Sequence, residues 1–299
     1  MKSERLHRAE FISVAGKVAI NMKKGISIWS FAETDLKKCM MMAKDAGFDG
    51  IELALDEHGV VSMDSTKEDL MNVKKMADEI GLELYSIASG LYWTYNYTSS
   101  NEENVRKAKE ITKKQLEVAS LLGCNTILVV PGAVEVAFDP GEVVEYDVAY
   151  ERALSALREL APVAERLKVS IGVENVWNRF LLSPMEMAEF IDKVGSDYVG
   201  SYFDVGNVLF SGYPEHWIKV LNKRIKKVHF KDYRRAAGDL HGFVDLLSGE
   251  VNWPVVMNQL EKIGYDGYVT AEMLPPYTHY PETIIYNTSN SMDKIMGRK

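Results

Sequence analysis

Ala46-Gly47-Phe48-Asp49-Gly50-Ile51-Glu52 and Ile263-Gly264-Tyr265-Asp266-Gly267-Tyr268-Val269 are nearly one phrase written twice. Each reads as a helix stop, a tight turn and a strand start, because glycine readily takes the left-handed conformation that ends a helix. A chain that carries this joint near both ends is built from repeated βα units. Around the two copies, short β-branched or aromatic runs alternate with longer stretches of helical spacing whose polar faces carry Lys and Glu. The pattern predicts strands at 25–31, 50–55, 83–88, 126–130, 169–176, 200–204, 226–231 and 268–272. It predicts helices at 35–46, 67–80, 102–122, 147–167, 184–194, 215–222 and 253–263, with a last one near the C-terminus. Thr34 and Ser183-Pro184 mark helix starts, and Gly47, Gly81, Gly123 and Gly264 mark ends. Eight such units in about 275 residues match a closed (β/α)8 barrel. No Pro/Gly/Ser linker divides the chain, so the expectation is one α/β barrel domain over 25–299. Residues 1–24 read as a helical or frayed extension rather than a signal peptide. A doubly wound open sheet is the alternative, but Ser27-Ile28-Trp29-Ser30-Phe31 makes a poor phosphate cradle and no Gly-x-Gly-x-x-Gly follows the first strand.

The composition narrows the partners. With 46% apolar and 26% charged residues the chain is long and apolar enough to bury a large core. Thirty-five Lys and Arg against 43 Asp and Glu leave a net charge of −8, so no overall basic field gathers nucleic acid or an anionic membrane. No apolar run reaches the roughly 20 residues that span a bilayer. Cys39 and Cys124 stand far apart, which excludes a disulfide framework and a clustered-thiol zinc site and points to a reducing cytoplasm.

In a barrel of this kind the chemistry sits at the carboxyl ends of the strands. Glu174 ends Val169-Ser-Ile-Gly-Val-Glu, Asp204 ends Gly200-Ser-Tyr-Phe-Asp, His229 lies within Lys227-Val-His-Phe-Lys, and Glu272 ends Tyr268-Val-Thr-Ala-Glu. They fall on four consecutive strands. Period-two alternation turns Val173, Phe203, Val228, Phe230 and Ala271 toward the helices and their ionisable neighbours toward the barrel axis. Taken singly, each has an ordinary reading: a solvated rim carboxylate for Glu174 or Glu272, a turn cap for Asp204, a hydrogen-bonded core residue for His229. Together they form an inward charge cluster that is costly bare and favourable around a divalent cation. Three carboxylates and one imidazole suit Mn²⁺, Mg²⁺ or Co²⁺, with Zn²⁺ also allowed.

These phrases carry a resemblance. Gly47-Phe-Asp-Gly-Ile-Glu-Leu, Gly172-Val-Glu-Asn, Phe203-Asp-Val-Gly-Asn, Val228-His-Phe-Lys-Asp and Gly264-Tyr-Asp-Gly-Tyr-Val-Thr-Ala-Glu-Met span essentially the whole barrel. In that order they resemble the sugar-phosphate isomerase/epimerase superfamily with the xylose-isomerase-like TIM barrel. The branch they resemble most comprises ketose-phosphate 3-epimerases and hexulose-phosphate isomerases. The resemblance implies one divalent metal held by Glu174, Asp204, His229 and Glu272, with Glu174 and Glu272 also the pair that moves the proton. Removing a proton next to a ketose carbonyl gives a cis-enediolate, which a Lewis acid and flanking carboxylates stabilise.

Other expected substrate contacts follow. The family places an arginine about as far past the histidine as Arg235, with Lys231 second; a solvated basic loop around Arg234 and Arg235 is the plain alternative. Glu52 resembles a substrate or supporting carboxylate, or forms a structural salt bridge. Asn207 and His241 are candidates from the loops after strands six and seven, and Trp29, Tyr92, Trp93 and Trp177 could wall a sugar site or serve as ordinary packing. Two departures from the free-sugar 3-epimerases matter. Leu181 stands where they have a Glu after Asn178-Arg179-Phe180, and Asn207 where they tend to have a His. Asp204-Val-Gly-Asn is closer to the phosphorylated-sugar branch, so a sugar phosphate is the expected substrate. The aromatic run Tyr92-Trp-Thr-Tyr-Asn-Tyr would cover the mouth or form a contact in a homo-oligomer. An inosose dehydratase-like lyase, a hydroxypyruvate isomerase and a non-catalytic sugar-binding barrel share the scaffold. A repair nuclease fits poorly, because only His229 of the six histidines is well placed.

Overall fold

The computed structural model describes residues 21–136 and 141–298. Eight parallel strands close a barrel: β1 Lys23–Ser27, β2 Gly50–Ala54, β3 Glu83–Ala88, β4 Thr126–Val129, β5 Ser170–Glu174, β6 Val199–Asp204, β7 Ile225–Phe230 and, after a short antiparallel pair β8 Asp232–Tyr233 and β9 Phe243–Val244, the last strand β10 Tyr268–Ala271. The order around the barrel is β1-β10-β7-β6-β5-β4-β3-β2. Helices α1 Leu36–Asp45, α2 Lys67–Ile80, α3 Glu102–Leu122, α4 Tyr146–Leu167, α5 Pro184–Val194, α6 Pro214–Leu221, α7 Trp253–Ile263 and α8 Thr283–Ile295 alternate with the strands.

The repeated joint behaves as its composition demands. Gly47 (φ 85°) and Gly264 (φ 72°) both take the left-handed conformation at the end of α1 and α7, and the second glycine of the first copy opens β2. Ser183 accepts from the Glu186 backbone N–H at 3.2 Å with Pro184 at the first helical position, a cap worth about 1 kcal/mol. The start of α1 differs from expectation: Asp35, not Thr34, caps it by accepting from Lys38 N at 3.1 Å. The first strand begins at Lys23, inside the expected extension 1–24, and stops at Ser27 because the Ser27 hydroxyl accepts from Trp29 N and turns the chain into a 3-10 turn over Ile28–Ser30. The expected extension up to residue 20 lies outside the described residues.

Alternation sorts the strand residues by face. Val173, Phe203, Val228, Phe230 and Ala271 are fully buried against the helices. On β6 and β7 the face assignment depends on a register slip. Ser201 lies opposite Ile225 but Tyr202 lies opposite Lys227, so that Asp204 meets His229. Without that one-residue shift Asp204 would stand beside the outward Val228, and the two inward groups would not meet. Cys39 and Cys124 are free and buried. No helix among the described residues is long and apolar enough to cross a membrane.

Candidate active site

Glu174, Asp204 and His229 sit at the carboxyl ends of β5, β6 and β7, and Glu272 follows β10. One ligand atom from each lies within 4.8 Å of all the others. His229 Nδ1 is 2.8 Å from Glu272 Oε2, 3.5 Å from Glu174 Oε1 and 3.9 Å from Asp204 Oδ2. The group is buried, with Asp204 and His229 at 0% exposure and both glutamates at 5%. Glu174 Oε1, Asp204 Oδ2 and His229 Nδ1 have no aligned hydrogen-bond partner among the described residues. Buried polar atoms are almost always satisfied, so three such atoms that face one another without an aligned hydrogen bond, Asp204 Oδ2 having only the Lys231 ammonium at 3.1 Å, mark a place that an ion could complete. One imidazole nitrogen and carboxylate oxygens are the donor set of a hard or borderline divalent metal. The four predicted ligands therefore converge and fit such a cation.

The charges explain the titration of the cluster. Burial pushes Glu174 up to about 7, against the pull of His229 and Lys231. Burial also raises Asp204. For Glu272 burial pushes the same way, but the Lys231 ammonium and His229 outweigh it and hold the carboxyl at about 2. Burial disfavours the His229 imidazolium, yet Glu52, Glu174 and Glu272 overcome that and raise its pKa well above the ordinary value.

The predicted substrate residues part company. Glu52 lies against His229 inside the barrel, in the position of a supporting carboxylate. It is fully buried, its Oε1 lies 3.0 Å from His229 Nε2, and its Oε2 accepts from the Tyr202 hydroxyl. Glu52 holds Nε2–H, so Nδ1 is the nitrogen turned toward the carboxylates; its proton would leave and its lone pair would serve a cation bound there, the usual way a protein orients a ligating histidine. Glu52→Gln is expected to weaken Mn²⁺ affinity about 10- to 100-fold in titration calorimetry; an unchanged affinity would remove Glu52 from this role.

Lys231 is drawn into the cluster, with Nζ 2.9 Å from Glu272 Oε2 and 3.1 Å from Asp204 Oδ2. Arg235 is not a free anion hook: its Nε donates to Leu209 O at 2.9 Å, one terminal nitrogen reaches Gly212 O at 3.4 Å, and the other lies 3.8 Å from Glu250. Asn207 donates its backbone N–H to Asp204 Oδ1 at 2.8 Å and its side-chain amide to Asn175 O at 2.9 Å. His241 is exposed beside Asp239. Tyr92 does not wall the mouth: it is buried against α3, its hydroxyl bonded to Thr112 and Gln115, and Tyr97 packs beside it. Leu181 is buried as well.

Three contributors escaped the sequence reading. Tyr202 presses its ring on His229, with centroids 4.7 Å apart, and holds Glu52; its inward position two residues before Asp204 was a signal that alternation could have supplied. Asn175 clamps β6, donating to Asp204 O at 2.8 Å and accepting from Asp204 N at 2.9 Å. Asp232 accepts four N–H groups behind β7, and nothing in its local sequence distinguishes a buried carboxylate from an exposed one.

Comparison with known proteins agrees with this geometry. SgbU of Escherichia coli, named as an L-ribulose-5-phosphate 3-epimerase, is 25% identical over 249 residues, 78% of this chain and 82% of the relative. An inosose dehydratase of Bacillus cereus is 24% identical over 216 residues, covering 70% and 67% of the two chains. The crystal structure of the IOLI protein with a binding zinc atom superposes with a TM-score of 0.75 at 18% identity, over 92% of this chain and 98% of that one. Residues 41–289 match the xylose isomerase-like TIM barrel family, and the chain belongs to that family.

Proposed function

We propose that this protein is a divalent-metal-dependent sugar epimerase or isomerase that abstracts a proton next to a ketose carbonyl and passes through a cis-enediolate. The observation that carries the reading is the convergence of Glu174, Asp204, His229 and Glu272, with buried ligand atoms lacking aligned hydrogen bonds. A bound Mn²⁺, Mg²⁺, Co²⁺ or Zn²⁺ supplies Lewis-acid polarisation of the carbonyl and hydroxyl oxygens. The residues do the rest. Asp204 and His229 hold the charge centre, and Glu52 with Tyr202 orients the imidazole. Glu174 and Glu272 stand at the same mouth; in the metal-free cluster burial pushes the first up to about 7, while Lys231 and His229 hold the second at about 2. A carboxylate oxygen on one takes the C–H proton. The other delivers a proton to the opposite face of the same carbon, giving a 3-epimer, or to the neighbouring carbon, giving an aldose.

Two signals favour the expected phosphorylated ketose, the name of the Escherichia coli relative and Asp204-Val-Gly-Asn, and the cations of the mouth oppose it. The two cations expected to hold the phosphate are both committed elsewhere. The dehydratase relative favours a second reading, in which the same proton abstraction is followed by loss of water.

The test is solvent deuterium incorporation into a panel of free and phosphorylated ketoses by the Mn²⁺-reconstituted protein. Products isomeric with the substrate and heavier by one mass unit for each proton exchanged are expected, together with loss of exchange on chelation by EDTA and its return on adding Mn²⁺. Products lighter by one water would establish the lyase, and exchange indifferent to chelation would end the metal-dependent reading.

A further inference from the structure

A cavity of about 630 Å³ begins at Asn175 and Asn207, one and three residues past Glu174 and Asp204, and extends beneath the loops that follow β5, β6 and β7. Its walls are chiefly Trp177, Phe210, Trp217 and Val208, with Leu182 and Leu240 at the rim. The indole of Trp177 is fixed in place. Its Nε1–H donates to Asn207 O at 2.9 Å, and its ring lies 5.4 Å from that of Phe210, 5.5 Å from Tyr233 and 5.6 Å from Phe243. The loop beneath it holds Arg179 (φ 55°) and Leu181 (φ 53°) in the left-handed region, conformations that cost energy for residues with a Cβ and persist only where the surroundings enforce them. Here the enforcement comes from buried Phe180 and from Asn178, whose amide donates to Gly132 O at 2.6 Å.

The polar groups of the cavity indicate what fits it. Phosphate is held by uncommitted cations and several aligned donors. Arg179 Nε is 2.6 Å from Glu135 Oε2, and His241 Nδ1 is 3.2 Å from Asp239. Lys231 is paired with Asp204 and Glu272, and Arg235 is turned onto main-chain carbonyls. A phosphoryl dianion entering here would meet the Asp239 carboxylate and would have to draw Arg179 away from Glu135. An uncharged polyhydroxylated ring meets no such cost: its C–H face packs on indole and phenyl, and its hydroxyls donate to Asp239.

We propose that this cavity is a subsite for a neutral sugar ring, so that the substrate is a ketose bearing a glycosyl substituent in place of a phosphate. The proposal rests on the ketose reading of the neighbouring carboxylate cluster for the orientation of the substrate. The probes are matched pairs on one ketose. Isomaltulose and D-fructose 6-phosphate differ only in the group on O6, trehalulose and D-fructose 1-phosphate only in the group on O1, and free D-fructose is the reference. With the Mn²⁺-loaded protein, affinity is read by titration calorimetry and kcat/KM by deuterium exchange.

At least one glucosyl ketose is expected to exceed D-fructose by tenfold or more in both quantities while neither phosphate does. Phe210→Ala is expected to bring the glucosyl-to-fructose ratio back toward 1. A phosphate ester that outperforms its glucosyl partner overturns the proposal. So do ratios near 1 for both glucosyl compounds, or a ratio that Phe210→Ala leaves untouched. A tenfold binding preference that Phe210→Ala removes, with no proton exchange from any ketose, would support the subsite and refute the epimerase chemistry.

Discussion

Glu174→Gln and Glu272→Gln are each expected to cut metal-supported deuterium exchange by at least about 10³-fold, because each removes a proton-transfer base, worth about 10²- to 10⁴-fold, together with an anionic metal ligand. Their stabilities are expected to diverge, which separates a chemical role from a structural one. Burial pushes Glu174 up to about 7. Its ionised form therefore destabilises the metal-free fold above that pH, and the penalty fades as pH falls toward the ordinary carboxylate range. A neutral amide at this position carries no such penalty, so the metal-free Tm of Glu174→Gln at pH 8 should be no lower than the parent's. Glu272 is the opposite case: burial is outweighed by Lys231 and His229, which hold it at about 2. Its charge thus stabilises the fold at all pH values well above 2, and Glu272→Gln should lower the metal-free Tm. Exchange at the parental rate in Glu174→Gln would dismiss that residue as a base. A fall in Tm equal for both variants would contradict the electrostatic account.

The barrel was readable in the sequence because its signals are local. Glycine stops, Ser183-Pro184 and helical spacing placed α2, α3, α5 and α7 at the predicted residues. Alternation picked out the four candidate ligands because each lies at the end of a strand whose outward neighbours are apolar. That reading needed the slip between Ser201 and Tyr202, which no local pattern announces. What stayed hidden depends on distant partners. Whether Arg235 is free depends on the carbonyls of Leu209 and Gly212 more than twenty positions away. The sequence left Glu52 open between a substrate contact, a supporting carboxylate and a salt bridge, and only the three-dimensional placement of His229, 177 positions later, shows its partner. Partners only 20 and 23 positions away decide between rim and core for Tyr92, whose hydroxyl bonds Thr112 and Gln115 of the next helix.

Asp232→Ala is expected to cost about 3–5 kcal/mol of stability, more than any surface change and enough to threaten folding of a marginally stable domain. Asp232 is 1% exposed and accepts from the backbone N–H of Tyr233 at 2.9 Å, Leu247 at 3.0 Å and Val251 at 3.1 Å, and from the Trp253 indole at 3.0 Å. Each buried donor left without an acceptor costs about 1–3 kcal/mol, reduced where water can follow. The knot is tight: a Cβ on Gly249 would sit 2.1 Å from Asp232 Oδ1, within the same turn. Gly249→Ala should therefore reproduce much of the loss by displacing a carboxylate that is still present, and Asp232→Asn should fall between the parent and Asp232→Ala, because one amide oxygen still accepts while the NH₂ opposes donors. Urea unfolding at 25 °C reads these values as shifts in midpoint at constant slope. The knot also joins the end of β7 to the start of α7, so it holds the segment that carries His229 and Lys231. Asp232→Asn should weaken Mn²⁺ binding as well as the fold, although no atom of Asp232 is among the ligands. A loss below about 1 kcal/mol in Asp232→Ala would mean that water replaces the carboxylate freely and that the loop, not the knot, sets the position of β7.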